Sequence, residues 1–186
     1  MKKFLFSFLC CLFSILIQAQ NEHLKFMGIP LDGNITSFQK KLQAKGIKYD
    51  AEGSRQIKVG CRCFSGSFSG EKASFFVYYN EKTKIVYRAK AVITCPTKEN
   101  GKDKFDSFKS LLKEKYSDGI ANDGEQDGHP SLSILVLNSS LQNELGYVGM
   151  YITNPQYSFL DEVYLHIDYE DTANSKNNQV NIMDDL

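Results

Sequence analysis

Tryptophan is absent from the 186 residues, histidine occurs three times, and neither charge is in excess, with 22 basic against 22 acidic side chains. Balanced charge leaves no electrostatic footprint for nucleic acid and no polybasic stretch to hold the chain on an anionic membrane. So few histidines, with no Cys/His cluster, leave a catalytic zinc without a ligand set. Paired carboxylates in an apolar context, which glycosidases need, are missing as well. No glycine-rich phosphate loop opens a helix after a strand. Catalytic, metal and cofactor residues are therefore expected to be none.

Long apolar runs are lacking beyond residue 20, so no transmembrane segment is expected there. Met1 to Gln20 itself reads as a signal peptide. Lys2 and Lys3 supply the positive start, Phe4 to Ile17 the apolar core, and Gln18-Ala19-Gln20 a cleavage region. Cys10 and Cys11 lie inside the apolar core without a small residue before Cys10, which argues against a lipoprotein. The expectation is an exported chain, periplasmic or extracellular. Loss of Lys2 and Lys3 leaves 20 basic and 22 acidic side chains, a net of −2.

Three cysteines remain after that cleavage, Cys61, Cys63 and Cys95. Cys61 and Cys63 are two apart on a predicted strand, so they point in parallel and should not bond each other. In an oxidising compartment a Cys63–Cys95 disulfide is the preferred pairing. Three reduced core thiols are the alternative.

What the chain does have is periodicity. Thr36 stands as a helix N-cap with Gln39 three residues on, Ile35, Phe38 and Leu42 share a helical face, and Gly46 is placed to end the helix. Ile47 to Ala51 reads as a strand and Glu52 to Ser54 as a turn. From Gln56 to Cys63 residues alternate, with Ile57, Val59, Cys61 and Cys63 on one face and Lys58 and Arg62 on the other. Ser65 to Lys72 reads as a bulge or loop. Ala73 to Tyr79 and Lys84 to Cys95 form a predicted hairpin across Asn80 to Thr83.

A second helix is expected over Asp103 to Tyr116, from Phe105, Phe108, Leu111, Leu112 and Tyr116. A Gly/Asp loop over 117–130 and three strands follow, and residues 171–186 read as a disordered polar tail. Ser37-Phe38 and Ser107-Phe108 align at an offset of 70, as do Leu42 with Leu112 and Lys45 with Lys115. The expected fold class is thus α+β, with two helix-plus-antiparallel-sheet units at 21–97 and 98–170 and an open question of internal duplication.

The stretch Phe26 to Gly33, FMGIPLDG, followed five residues on by Phe38 and then by Leu42 and Lys45-Gly46, resembles a group of small exported bacterial proteins of unassigned function. The resemblance covers mainly residues 24–49 and carries no catalytic motif. In architecture, a helix-plus-meander unit used twice is similar to beta-lactamase-inhibitor-protein-like domains. That resemblance implies a sheet face presented to a protein partner, by analogy of fold alone.

Other constellations have weaker readings. Asp123, Glu125 and Asp127 with Gly128 fall at calcium-loop spacing, but Ile134 stands where the closing glutamate belongs. In GSFSG the centre is Phe68, so Ser67 and Ser69 do not form a nucleophile elbow. A hydrolase using Cys95 or His166 is the runner-up function, and an envelope assembly factor is a third. The leading expectation is a non-enzymatic binding protein whose partner is a protein or other envelope component. Its candidate face is Phe64, Phe76, Tyr78, Arg88 and Tyr164, aromatics and arginine being the side chains that anchor interfaces.

Overall fold

The computed structural model describes residues 22–138, 143–155 and 161–183; the expected signal peptide at 1–20, with Cys10 and Cys11, lies outside the described residues. β1 (Lys25–Phe26) and β2 (Ile29–Pro30) form a two-stranded ribbon whose turn holds Met27 and Gly28 at φ of 50° and 77°. α1 (Ile35–Ala44), β3 (Lys48–Asp50), α2 (Ala51–Gln56), β4 (Cys61–Phe68), β5 (Glu71–Tyr79) and β6 (Val86–Cys95) follow. The chain continues through α3 (Lys98–Lys115), β7 (Ile120–Gln126), β8 (His129–Leu137), β9 (Glu144–Thr153), β10 (Val163–Asp171) and α4 (Thr172–Met183).

The expected α+β class does not hold. The fold is β-rich: β3 to β10 make one antiparallel sheet in the order β3-β4-β5-β6-β10-β9-β8-β7, and among the described residues there are four helices, the longest of 18 residues. Two units with their own sheets are also overturned. β6 and β10 pair along eight residue pairs, from Val163↔Cys95 to Glu170↔Arg88, so the sheet runs unbroken across both halves. The sequence suggests two separate halves because a strand pattern announces a buried face without saying which strand lies beside it.

Period-two alternation sorts the sheet into two sides. Ala73, Phe75 and Val77 of β5, Ala89, Ala91, Ile93 and Cys95 of β6, and Val163, Leu165 and Ile167 of β10 are all buried. So are Val148, Met150 and Ile152 of β9. α1 lays Ile35, Phe38 and Leu42 into this core, and α3 adds Phe105, Phe108 and Leu112. α3 approaches so closely that a Cβ on Gly101 would stand 2.4 Å from Val163 Cγ2.

Several local expectations need correction. The α1 cap is Asn34, whose side chain accepts the Thr36 amide at 2.8 Å, and not Thr36 itself. Residues 51–56 are helix α2, capped by Asp50 onto the Gly53 amide at 2.9 Å, so β4 begins at Cys61 and leaves Ile57 and Val59 outside it. The stretch 65–72 is a tight β4–β5 hairpin turning at Ser69 and Gly70, both at positive φ. Most of 117–130 is strand β7 and its turn, with Asp123 held by Lys109 (3.0 Å) and Lys113 (2.9 Å) of α3. The tail read as disordered contains α4. Its amides are met by Asp171, which accepts from Asn174 N at 3.0 Å, and the Asn174 side chain ties it to the Leu31 carbonyl. No helix among the described residues is long and apolar enough to cross a membrane.

Candidate binding face

Opposite the helix-packed side, the same alternation sets a second row of side chains outward. Strand register aligns Cys61, Tyr78, Arg88 and Glu170 in one row across β4, β5, β6 and β10. The next row is Cys63, Phe76, Lys90 and Asp168, and the third is Ser65, Ser74, Val92, His166 and Tyr151. Phe76, Tyr78, Arg88, Lys90, Tyr151, Tyr164 and His166 are half-buried on this side. A bulge at the β5–β6 register shift puts Tyr87 outside the pairing and lets both Val86 and Ala89 face the core.

Arg88 organises the centre. Its Nε donates to Asp168 Oδ1 at 2.9 Å and Oδ2 at 3.1 Å, and Nη2 donates to Oδ2 as well, a bidentate grip of the strong charge-assisted kind. The guanidinium also lies 5.2 Å from the centroid of the Tyr78 ring. Asp168 is 8% exposed and Arg88 shields it. The hydrogen bond to Asp168 raises the Arg88 pKa further.

His166 is held differently. Its ring stacks on Tyr151 at 4.6 Å and 7°, and Nε2 lies 2.8 Å from Thr153 Oγ1. Nδ1 is sealed without a hydrogen-bond partner. Burial, with the Lys90 ammonium nearby, pushes the His166 pKa down to about 4, so the ring is neutral at pH 7. Burial likewise lowers the Lys90 pKa and pushes the Tyr78 phenol up to about 12.

At one end of the face a cleft of about 430 Å³ opens beside Tyr78, with Val59, Cys61, Tyr79, Tyr87 and Asn178 among its walls. It lies where the turn before β4 meets the β5–β6 hairpin and α4. Asn80 anchors that corner, its Nδ2 donating to Asn178 Oδ1 at 2.9 Å and its Oδ1 accepting the Lys82 and Thr83 amides.

The structure brings four of the five expected face residues to this side: Phe76, Tyr78, Arg88 and Tyr164. Phe64 does not belong with them. It is 1% exposed on the core side, against Tyr49 at 5.5 Å between ring centroids. The relative alternation within β4 was legible, but its absolute side was inferred from Ile57 and Val59, which are not in the strand.

The Cys63–Cys95 disulfide is contradicted too. All three described cysteines are free and buried. Cys63 points to the outer side and Cys95 to the core, and Cys63 lies level with Lys90 on β6, five positions from Cys95. The pleat separates Cys95 from His166 in the same way, since Cys95 sits opposite core-facing Val163 and His166 opposite Val92. A histidine base for the Cys95 thiol is not available from His166.

No protein-family model matches the chain, and no curated protein or solved structure matches it. The geometry must speak alone. Sequence reasoning missed Tyr151 and Tyr87 as members of the face. Tyr147 and Tyr151 alternate with Val148, Met150 and Ile152, a period-two pattern that identifies the outward side of β9. The bulge that frees Tyr87 leaves no such mark.

Proposed function

We propose that this chain is an exported, non-enzymatic binding protein that docks a protein partner on the outer side of its sheet. The observation that carries the reading is that Tyr78, Phe76, Tyr151 and, further along β10, Tyr164 share with Arg88 the sheet side opposite the helix-packed core. Rigid aromatics and arginine supply large contact area at small cost in side-chain entropy, and the sheet holds them in place before a partner arrives. The cleft beside Tyr78 offers a recess for an apolar anchor. The positively charged start and apolar run of residues 1–20 support export.

The test is a crosslinking pull-down from envelope extract with the tagged protein and a Tyr78→Ala, Tyr164→Ala variant, both checked for folding by circular dichroism. Partners captured only by the unaltered protein support the face. Identical capture by both, or no capture, removes it.

A further inference from the structure

At the middle of the outer side sits a cation whose counter-ion has been given to another residue. Lys90 faces Asp168 directly across the β6–β10 ladder. Both Asp168 oxygens are committed to Arg88, one position row away. Among the described residues no carboxylate lies within ion-pair distance of the Lys90 ammonium. Its cross-strand neighbour on the β5 side is Phe76, which offers no charge.

The remaining charged groups do not compensate. Glu170 stands opposite Arg88 and accepts the Ser175 hydroxyl of α4. His166 is neutral and adds no acceptor on the exposed side, because its Nδ1 is sealed. An ammonium half-withdrawn from water that must share the single Asp168 carboxylate with Arg88 is a local conflict that a folded chain does not need for stability. Replacement by an apolar side chain of similar length would relieve it.

We propose that Lys90 receives an aspartate or glutamate side chain of the protein partner at the centre of this face. The inference rests on reading the face as a docking surface. An incoming carboxylate would supply Lys90 with a counter-charge of its own where contact with the partner has excluded water, and the surrounding Tyr78, Phe76 and Tyr151 would seal the pair. Charge complementarity selects the acidic side chain. Arg88, whose Nε and Nη2 are held by Asp168, lies against the aromatic ring of Tyr78 instead.

Two measurements test it. In the first, the urea midpoint of Lys90→Met is compared with the unaltered protein at pH 7. A higher midpoint for the variant is expected, because the second, half-buried cation beside Asp168 is gone; a lower one makes Lys90 a structural residue and overturns the proposal. In the second, a random heptapeptide display library is panned on both proteins. Enrichment of Asp or Glu at one position by at least tenfold on the unaltered protein, lost on Lys90→Met, supports the proposal. Peptides enriched without an acidic position, or with the same acidic position on both proteins, overturn it while leaving the docking face intact. Peptides that ignore Tyr78→Ala and Tyr164→Ala as well, or no enrichment on any protein, overturn the proposal and the docking face together.

Discussion

Arg88 and Asp168 are locked together across the seam between β6 and β10, 80 residues apart in the chain, with Nε 2.9 Å from Oδ1. The pair stabilises the seam and also fixes the Tyr78 ring, so its loss should be felt in both stability and surface order. Arg88→Met removes the bidentate partner of the nearly buried Asp168 carboxylate and leaves Lys90, across the ladder, as the cation that faces it. The expected loss is about 2 kcal/mol, below the roughly 3–5 kcal/mol of a fully buried pair because a third of Arg88 remains exposed. Urea denaturation measures it. Arg88→Met with Asp168→Leu should recover part of the loss, since no nearly buried carboxylate is then left without its guanidinium.

His166 makes stability depend on pH. Its pKa is held near 4 in the folded chain against 6.5 for the free side chain, so below pH 6.5 the unfolded chain binds a proton that the folded one refuses. Stability should therefore fall as pH drops from about 6.5 towards about 4, by on the order of 2–3 kcal/mol. His166→Phe keeps the stack on Tyr151 and should remove that part of the slope. Denaturation midpoints at pH 7 and pH 4.5 for both proteins decide the matter; equal slopes would disprove the assignment.

Gly101 is unusual in being a helix residue whose replacement by alanine should harm. The gain in helix propensity is about 1 kcal/mol. Against it stands a Cβ placed 2.4 Å from Val163 Cγ2, on a β-branched side chain with no room to turn. Overpacking of this kind costs about 1–3 kcal/mol. Gly101→Ala should lower the thermal midpoint, and Val163→Ala in the same chain should partly restore it.

The thiols should behave as core groups. A chain starting at residue 21 should yield three thiols with a thiol reagent in denaturant, and very slow reaction when native at pH 8. Burial and the neighbouring Cys63 push the Cys61 pKa up to about 12, and burial raises those of Cys63 and Cys95. Reducing agent should leave the melting temperature unchanged. A drop on reduction would reveal a bond that these cysteines do not make here.

Asp171 joins the two ends of the described chain. Its carboxylate lies 3.0 Å from His23 Nδ1 and accepts from the Leu24 amide and the Asn174 amide, each at 3.0 Å. Asp171→Ala deletes all three contacts and leaves two buried or half-buried amides unmet, at about 3 kcal/mol. Hydrogen exchange should show faster exchange across α4 in that variant than across β9.

The elements that sequence revealed are those whose side chains report a single buried stripe. Ile35, Phe38 and Leu42 marked α1, and Phe105, Phe108 and Leu112 marked α3, because a helix against a core repeats its apolar residues at fixed spacing. The alternation of Ala89, Ala91, Ile93 and Cys95 marked β6. Parity, however, says which residues share a side and not which side is covered. In β4 the covering side was inferred from Ile57 and from Val59, which is 73% exposed, and this carried Phe64 outward and Cys63 inward. Strand adjacency was equally silent: nothing in Val163 to Glu170 names β6 as its neighbour, and that pairing turned two expected units into one β-rich sheet. α4 was hidden because its anchors, Asn174, Ser175 and Asn178, are polar.

The seam between β6 and β10 also orders events in time. As the chain is made, β6 is complete long before its neighbour exists. Until Val163 to Asp171 arrives, its free edge shows Ala89, Ala91 and Ile93 with unpaired backbone groups, an invitation to pair with another copy. Closing a gap of 80 residues is slow compared with closing a hairpin. The half-made protein is thus the vulnerable one, and conditions that delay β10 should divert it into aggregates well before they unfold the finished chain.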